Sequence, residues 1–153
     1  MAKGRVAVAM SGGVDSAAAA LLLQQAGYEV WGVTLRLQSC AGAVEAAEAE
    51  IDAARRAAEA LGIPHRVLDL RERFRSAVMD RFVSEYLAGR TPNPCVDCNR
   101  EIKFGALLDW ALEQGADYLS TGHYARVDQA GENGRWRLLR GTDRRKDQSY
   151  VLY

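Results

Sequence analysis

The turn Ser11 to Ser16, with the sequence SGGVDS, has the residue types needed to bind a phosphate chain. Gly12 and Gly13 allow the backbone to approach an anion closely, so that N–H groups and a helix start can surround phosphate oxygens. Asp15 adds a carboxylate, which suits Mg2+ together with phosphate oxygens. We therefore predict a phosphate-binding turn. An ordinary helix-capping turn, with Ser or Asp as the N-cap, is the alternative.

A second reactive group is the C-x-x-C pair Cys95 and Cys98, in the segment TPNPCVDCNREIKFGALL that begins at Thr91. Such a pair can be half of a zinc site, a redox pair, part of an iron–sulfur ligand set or the site of one nucleophilic thiol. A closed zinc site needs four ligands, and only Cys40 and two histidines remain, so structural zinc is the weaker interpretation. Because we expect a helix to start near Asn99, its dipole and free N–H groups would favour a thiolate at Cys98.

Strands and helices that alternate along the chain are predicted to position these two groups. Short apolar runs indicate strands, and apolar residues spaced by three and four indicate helices. This alternation is typical of the α/β class, with an open, doubly wound parallel sheet that binds ligands at the carboxyl ends of its strands. The predicted strands are Gly4–Met10, Glu29–Leu35, His65–Leu70 and Asp117–Ser120, and the predicted helices are Asp15–Ala26, Val44–Leu61, Phe74–Tyr86 and Asn99–Gln114.

Two segments fall outside the alternation. The segment from Thr91 to Cys98 has two prolines and no periodicity, which predicts an exposed loop. Tyr124–Val127 and Arg135–Arg140 predict a short C-terminal hairpin, joined through a loop that contains Gly131 and Gly134.

Composition and charge limit the classes of function. The 153 residues suffice for about one domain, and a formal net charge of zero excludes a polycationic surface over the whole chain. Basic residues are concentrated only between Arg135 and Lys146, where a solvated hairpin face is the simplest explanation. No signal peptide or run of about 20 apolar residues is visible, so we expect a cytoplasmic protein without a membrane partner.

The SGGVDS turn resembles the PP-loop of ATP pyrophosphatases. It is not a Walker A loop, because no lysine precedes the hydroxyl residue, and a P-loop kinase or GTPase is therefore a poor interpretation. The resemblance implies an adenine nucleotide alpha hydrolase-like fold. It also implies a reaction in which AMP is transferred to an oxygen of the substrate and pyrophosphate is released.

Four motifs, in the order SGGVDS, TPNPCVDCNREIKF, TGHYARV and KDQSYVLY, resemble the tRNA-specific 2-thiouridylase family over the whole chain. The last three motifs are far more specific than the first. The resemblance implies ATP-dependent adenylation of the C2 oxygen of the wobble uridine of tRNA, and its replacement by persulfide-derived sulfur. The implied cofactors are ATP and Mg2+, and the implied partners are tRNA and a sulfur-carrier or persulfide donor protein.

The resemblance also implies roles for individual residues. Cys98 matches the family's nucleophilic cysteine, and Asp15 is expected to hold Mg2+. A hydrogen-bonded histidine in a tight turn is the alternative for His123, and His65 is expected to be structural. The implied nucleotide-binding residues are Ala9, Met10, Ser11, Gly12, Gly13, Val14, Asp15, Ser16, Leu35 and Gly122. The implied contacts to the target base or to tRNA are Asn93, Pro94, Cys95, His123, Lys146, Asp147 and Gln148.

The sequence departs from the family pattern at two places. Many members have Asp where this chain has Cys95, so an acid–base role cannot be transferred, and an iron–sulfur cluster on Cys95 and Cys98 becomes a candidate, with Cys40 a doubtful third ligand. The family's downstream persulfide cysteine and its central and barrel-like domains do not occur before Tyr153. We therefore expect residues 1–153 to be the PP-loop catalytic domain of a longer protein.

Two other functions are compatible with parts of the sequence. A PP-loop ligase that adenylates a small molecule would explain SGGVDS but not TPNPCVDC or TGHYARV. A non-catalytic module that binds nucleotide or tRNA would need none of the thiol chemistry.

Overall fold

The computed structural model describes residues 2–37, 44–130 and 134–152. Its centre is a parallel sheet of four strands in the order β3-β2-β1-β4. The chain first moves outward from β1 to β3 and then returns to place β4 on the other side of β1, which makes the gap between β1 and β4 the topological switch point. The strands are β1 (Arg5–Ala9), β2 (Glu29–Arg36), β3 (His65–Asp69) and β4 (Tyr118–Ser120).

Helices cover both faces of this sheet. Successive side chains of a strand point to opposite faces, so the apolar strands present apolar groups on both sides, and helices bury each side. Val6 and Val8 of β1 pack in one cluster with Ala54 and Ala58 of the second helix. Ala7 packs in the other cluster, with Leu107 and Ala111 of the fourth helix among its members. The predicted doubly wound α/β fold is confirmed. The helices are α1 (Val14–Gln25), α2 (Val44–Leu61), α3, which joins Arg71–Phe74, a π-helical Arg75–Met79 and Asp80–Leu87, and α4, which joins Pro94–Asp97, a π-helical Cys98–Leu107 and Leu108–Glu113.

The predicted loop from Thr91 to Cys98 is wrong in its second half, where α4 already begins. Pro94 occupies the first helical position, and the Asn93 side chain accepts a hydrogen bond from the Cys95 N–H at 3.2 Å. An Asn cap followed by proline is a helix-start signal, since proline lacks an N–H that the first turn could not pair. The two cysteines therefore lie inside a helix.

The predicted C-terminal hairpin is confirmed, although its first strand starts two residues later. It is formed by β5 (Arg126–Ala130) and β6 (Arg135–Leu139), which pair antiparallel. Gly131 of the predicted connection lies outside the described residues. One 3-10 turn, Ser149–Val151, follows. Within the described ranges, no helix has the length and apolar character to cross a bilayer.

Candidate functional site

A cleft of ≈ 560 Å3 opens at the carboxyl ends of β1, β2 and β4. This is the switch point of the sheet, where doubly wound folds bind their ligands, and its volume is in the ordinary range of small-molecule sites. Several of the predicted site residues line it, namely Ala9, Met10, Ser11, Asp15, Ser16, Leu35, Gly122, His123 and Gln148.

The phosphate loop, residues 11–16, joins β1 to α1 on one wall of the cleft. Gly13 is the N-cap of α1, and no side chain caps it in this described turn. The Ser16 hydroxyl instead closes the loop by donating to the Gly13 carbonyl at 3.0 Å and accepting from the Ser11 N–H at 3.3 Å. The first N–H groups of a helix have no acceptor within it, so the loop offers donors for an anion. A Ser- or Asp-capped turn is not formed.

Gly12 and Gly122 allow close backbone contacts around this loop. Gly12 has φ +78°, and a Cβ there would lie 2.7 Å from the Glu50 carbonyl oxygen. A Cβ on Gly122 would lie 2.9 Å from the Ser16 nitrogen. Gly12 therefore packs the loop on α2, and Gly122 packs the end of β4 on the start of α1. Three predicted nucleotide-binding residues, Gly12, Gly13 and Val14, do not line the cleft.

Asp15 lies in the first turn of α1, beside the cleft and exposed to solvent. One carboxylate oxygen, Oδ1, accepts a hydrogen bond from the Tyr124 hydroxyl at 2.5 Å. This bond raises the pKa of Tyr124, so the phenol stays protonated as a donor. A carboxylate beside a phosphate-binding loop is the donor type that Mg2+ uses.

Cys98 differs from its predicted state. It is the fifth residue of α4, half-buried, and burial raises the pKa of its thiol, while the nearby Lys103 opposes this rise and Cys95 adds to it. Cys98 was expected just before a helix start, where free N–H groups would stabilise its thiolate. This expectation is wrong, because α4 already begins at Pro94, four residues before Cys98. Cys95 is exposed, and both thiols are free.

Asn93, Pro94 and Cys95, which were predicted to contact the target base, lie at the start of α4 and do not line the cleft. Cys98 does not line it either. Within the described residues, no group of three or more Cys, His, Asp or Glu side chains forms a metal site. The possible third cluster ligand, Cys40, lies outside those residues. An iron–sulfur cluster therefore stays a prediction.

Two buried polar residues position α4. The Asp97 side chain pairs with Arg100 at 3.2 Å and with Arg81 of α3 at 3.4 Å. The Asn99 amide donates to the Val151 carbonyl at 2.9 Å, which joins α4 to the C-terminal segment.

Lys103 was not among the predicted site residues, but it lines the cleft and its charge acts on Cys98. Its Nζ lies 3.4 Å from His123 Nε2, and His123 Nδ1 lies 2.7 Å from the Thr121 hydroxyl oxygen. Burial, and to a smaller degree the charge of Lys103, lower the pKa of His123, so the ring is neutral at pH 7. A signal was available, because Lys103 follows Cys98 by five residues within the NREIKF part of its motif.

The predicted tRNA segment, Lys146, Asp147 and Gln148, packs against Tyr124. The Lys146 ammonium lies 5.0 Å from the centre of the tyrosine ring, and Gln148 bonds to the Tyr124 backbone at both its N–H and its carbonyl. The Asp147 carboxylate accepts from the N–H groups of Gly141 and Ser149, which lowers its pKa. Asp147 therefore shapes the turn, while Gln148 reaches the cleft.

His65 does not line the cleft. Its Nε2 lies 2.8 Å from the Thr34 hydroxyl oxygen, and that hydroxyl donates to the Met10 carbonyl at 2.8 Å. This placement agrees with the structural role expected for His65.

Comparisons with known proteins show which family and which relatives the chain resembles. Residues 4–153 match the family described as the tRNA methyl transferase HUP domain. The chain is 52% identical to the tRNA-specific 2-thiouridylase MnmA of Pelotomaculum thermopropionicum over 160 aligned positions, which cover all of this chain and 44% of that protein. It is 53% identical to the 2-thiouridylase MnmA of Carboxydothermus hydrogenoformans, with 97% of this chain and 43% of that protein covered. The chain thus spans less than half the length of these curated relatives.

Two solved structures share the fold. One is described as a predicted subunit of tRNA methyltransferase from Methanocaldococcus jannaschii, with TM-score 0.55, 20% identity and coverage of 86% of this chain and 60% of that chain. The other is described as the U34-tRNA thiolase NcsA from Methanococcus maripaludis with its [4Fe-4S] cluster, with TM-score 0.53, 25% identity and coverage of 80% and 39%.

Proposed function

The chain belongs to the tRNA methyl transferase HUP domain family, and we propose that it is the ATP-binding part of a tRNA-specific 2-thiouridylase. In this reaction the C2 oxygen of the wobble uridine attacks the α-phosphorus of ATP and pyrophosphate leaves. The outer sulfur of a persulfide then attacks C2, and AMP leaves with the original oxygen. A thiolate then breaks the S–S bond, which releases 2-thiouridine and leaves a disulfide. One observation supports the first step most directly, namely a helix start with free N–H donors and a carboxylate at the switch-point cleft.

Asp15 is the residue that would hold the Mg2+ of ATP, because its carboxylate is exposed beside the phosphate loop. The Tyr124 hydroxyl donates to Oδ1, so Oδ2 is the oxygen that would face the metal. Mg2+ supplies positive charge to the phosphate oxygens and is usually held by one or two carboxylates and the substrate phosphates. The N–H groups of the phosphate loop would orient the phosphate chain.

Lys103 would act where the nucleotide and the thiol meet. It lines the cleft, and its charge opposes the rise in the pKa of Cys98. The thiolate is the reactive form of cysteine, so a cation that favours deprotonation of Cys98 supports its role in sulfur transfer. Alternatively, Cys95 and Cys98 would supply two ligands of an iron–sulfur cluster. The U34-tRNA thiolase of Methanococcus maripaludis is described with a [4Fe-4S] cluster.

Binding of tRNA would use the segment that carries Lys146 and Gln148, together with neighbouring arginines. Arg140 and Arg144 line a second depression beside Asp147 and Tyr150. Phosphate contacts of this kind orient a nucleic acid, and the target uridine has to leave its stack to reach the cleft. We also propose that a separate protein donates the sulfur and that the reaction takes place in the cytoplasm.

The test measures pyrophosphate release from ATP and Mg2+, with and without tRNA that carries an unmodified wobble uridine. We expect release that depends on tRNA and falls at least about 100-fold in Asp15→Ala, the scale for losing one electrostatic contact to a transition state. Asp109→Ala is the matched control, since Asp109 is exposed on α4 and does not line the cleft.

Two outcomes would contradict the proposal. Release that needs a small-molecule acceptor instead of tRNA would identify another PP-loop ligase. ATP binding without any release would leave a non-catalytic module that binds nucleotide or tRNA.

A further inference from the structure

Tyr124 touches both the predicted nucleotide side and the predicted tRNA side of the site. Its hydroxyl donates to Asp15 Oδ1 at 2.5 Å, across 109 positions of sequence. Its N–H donates to the Gln148 side-chain carbonyl at 2.9 Å, and its carbonyl accepts from the Gln148 N–H at 2.9 Å. The Lys146 ammonium lies over the face of its ring.

The bond to Asp15 leaves the second carboxylate oxygen, Oδ2, available to a cation. A donor that fixes one oxygen of a metal-binding carboxylate sets the orientation of the other, and loss of such an outer partner commonly weakens metal binding. Asp15 is exposed, so without this bond its side chain would sample other rotamers and would lose that freedom on binding.

The backbone of Tyr124 is held by the C-terminal segment. Gln148 pairs with both of its polar backbone groups, and the turn that carries Gln148 is itself fixed by Asp147, which accepts from the N–H groups of Gly141 and Ser149. A displacement of residues 146–148 would therefore move the hydroxyl that contacts Asp15.

We propose that Tyr124 is a positioning residue that orients Asp15 toward the Mg2+ of ATP and ties this orientation to segment 146–148. The inference rests on the proposed function, because it assumes Mg2+·ATP in the cleft and tRNA on that segment. Any tRNA contact that holds the segment would then favour Mg2+·ATP binding, and by linkage Mg2+·ATP would favour tRNA binding by the same factor.

The test uses Tyr124→Phe, which removes the hydroxyl and keeps the ring beneath Lys146. Isothermal titration of the chain with ATP is carried out once with Mg2+ and once with EDTA. We expect Mg2+·ATP to bind about 10- to 100-fold more weakly, the scale for losing an outer partner of a metal ligand, and ATP in EDTA to bind as tightly as to the unchanged chain. Tyr86→Phe is the matched control, because Tyr86 is 57% exposed on α3 and does not line the cleft.

A double-mutant cycle separates positioning of Asp15 from a general structural effect. In the Asp15→Asn background, Tyr124→Phe should cause almost no further loss of Mg2+·ATP affinity, because both changes remove the same interaction. Additive losses, an unchanged affinity or tighter Mg2+·ATP binding in Tyr124→Phe would each overturn the inference. Tighter binding would mean that the tyrosine blocks Asp15 instead of orienting it.

The same titrations distinguish this inference from the proposed function. If the unchanged chain does not bind Mg2+·ATP, the proposed function fails. If it binds, and Asp15→Asn weakens binding while Tyr124→Phe does not, only the positioning role fails.

Discussion

The phosphate loop and the start of α4 each place a reactive residue near the beginning of a helix, but the two residues differ in solvent exposure. Asp15 is in the first turn of α1, is exposed and lies beside free N–H groups. Cys98 is the fifth residue of α4, is half-buried and has a raised pKa. The comparison shows that local sequence places Asp15 at an exposed helix start, while tertiary packing determines the burial and the pKa of Cys98.

The largest expected effect tests whether the phosphate loop depends on its glycines. Gly12→Ala combines a left-handed backbone with a Cβ 2.7 Å from the Glu50 carbonyl oxygen and 2.9 Å from the Ala53 Cβ. We expect a loss of roughly 2 to 4 kcal/mol in the free energy of unfolding, measured with urea. Gly27→Ala is the control, because it has φ +88° but nothing within 4 Å, and it should cost only about 1 to 2 kcal/mol. Equal losses would show that backbone strain alone is responsible.

The next effect tests whether tertiary contacts position α4. Asp97→Asn removes the charge that pairs with Arg81 and Arg100, and we expect a loss of about 1 to 3 kcal/mol, since Asp97 is 7% exposed. Asp128→Asn removes the exposed pair with Arg137 and should cost less than about 1 kcal/mol. Alkylation of Cys98 should also become faster in Asp97→Asn, and an unchanged rate would mean that α4 keeps its position without these pairs.

A smaller effect tests the link between Lys103 and Cys98. A positive charge favours the thiolate, so Lys103→Met should raise the pKa of Cys98 further and slow its alkylation at pH 8 by about three- to tenfold. The rate is measured against pH with iodoacetamide, and mass spectrometry separates Cys98 from Cys95. Lys146→Met is the control, because Lys146 packs on Tyr124. An equal slowing in both variants would exclude a specific role for Lys103.

The smallest effect concerns His123, at the boundary between the two regions. Its pKa is lowered from 6.5 in the folded state, so the unfolded chain binds more protons below about pH 6.5 and the free energy of unfolding falls as the pH decreases. His123→Gln should reduce this fall between pH 7.5 and 5.5, while the contribution of His65 remains. Urea denaturation at both pH values measures it, and an identical slope in the two proteins would show that His123 titrates normally.

Much of the fold could be predicted from the sequence. The four parallel strands and the helices α1 and α2 lie within one or two residues of their predicted bounds, because apolar periodicity and glycine stops are local signals. The start of α4 was missed because two prolines were interpreted as loop signals, although Asn93 and Pro94 form a helix cap. The roles of the predicted site residues stay predictions. Nine of them from distant parts of the chain line one cleft, whereas the two cysteines do not; the nine are Ala9, Met10, Ser11, Asp15, Ser16, Leu35, Gly122, His123 and Gln148.

The sequence by itself determined which residue types follow which strand, and therefore where a phosphate could bind. Only the tertiary structure decided that Tyr124 meets Asp15, that Lys103 faces His123, and that Cys98 is half-buried. The reason is physical. Helix starts and strand ends depend on neighbouring residues, whereas the pKa of a thiol and the orientation of a carboxylate depend on groups that the fold brings together from distant parts of the chain.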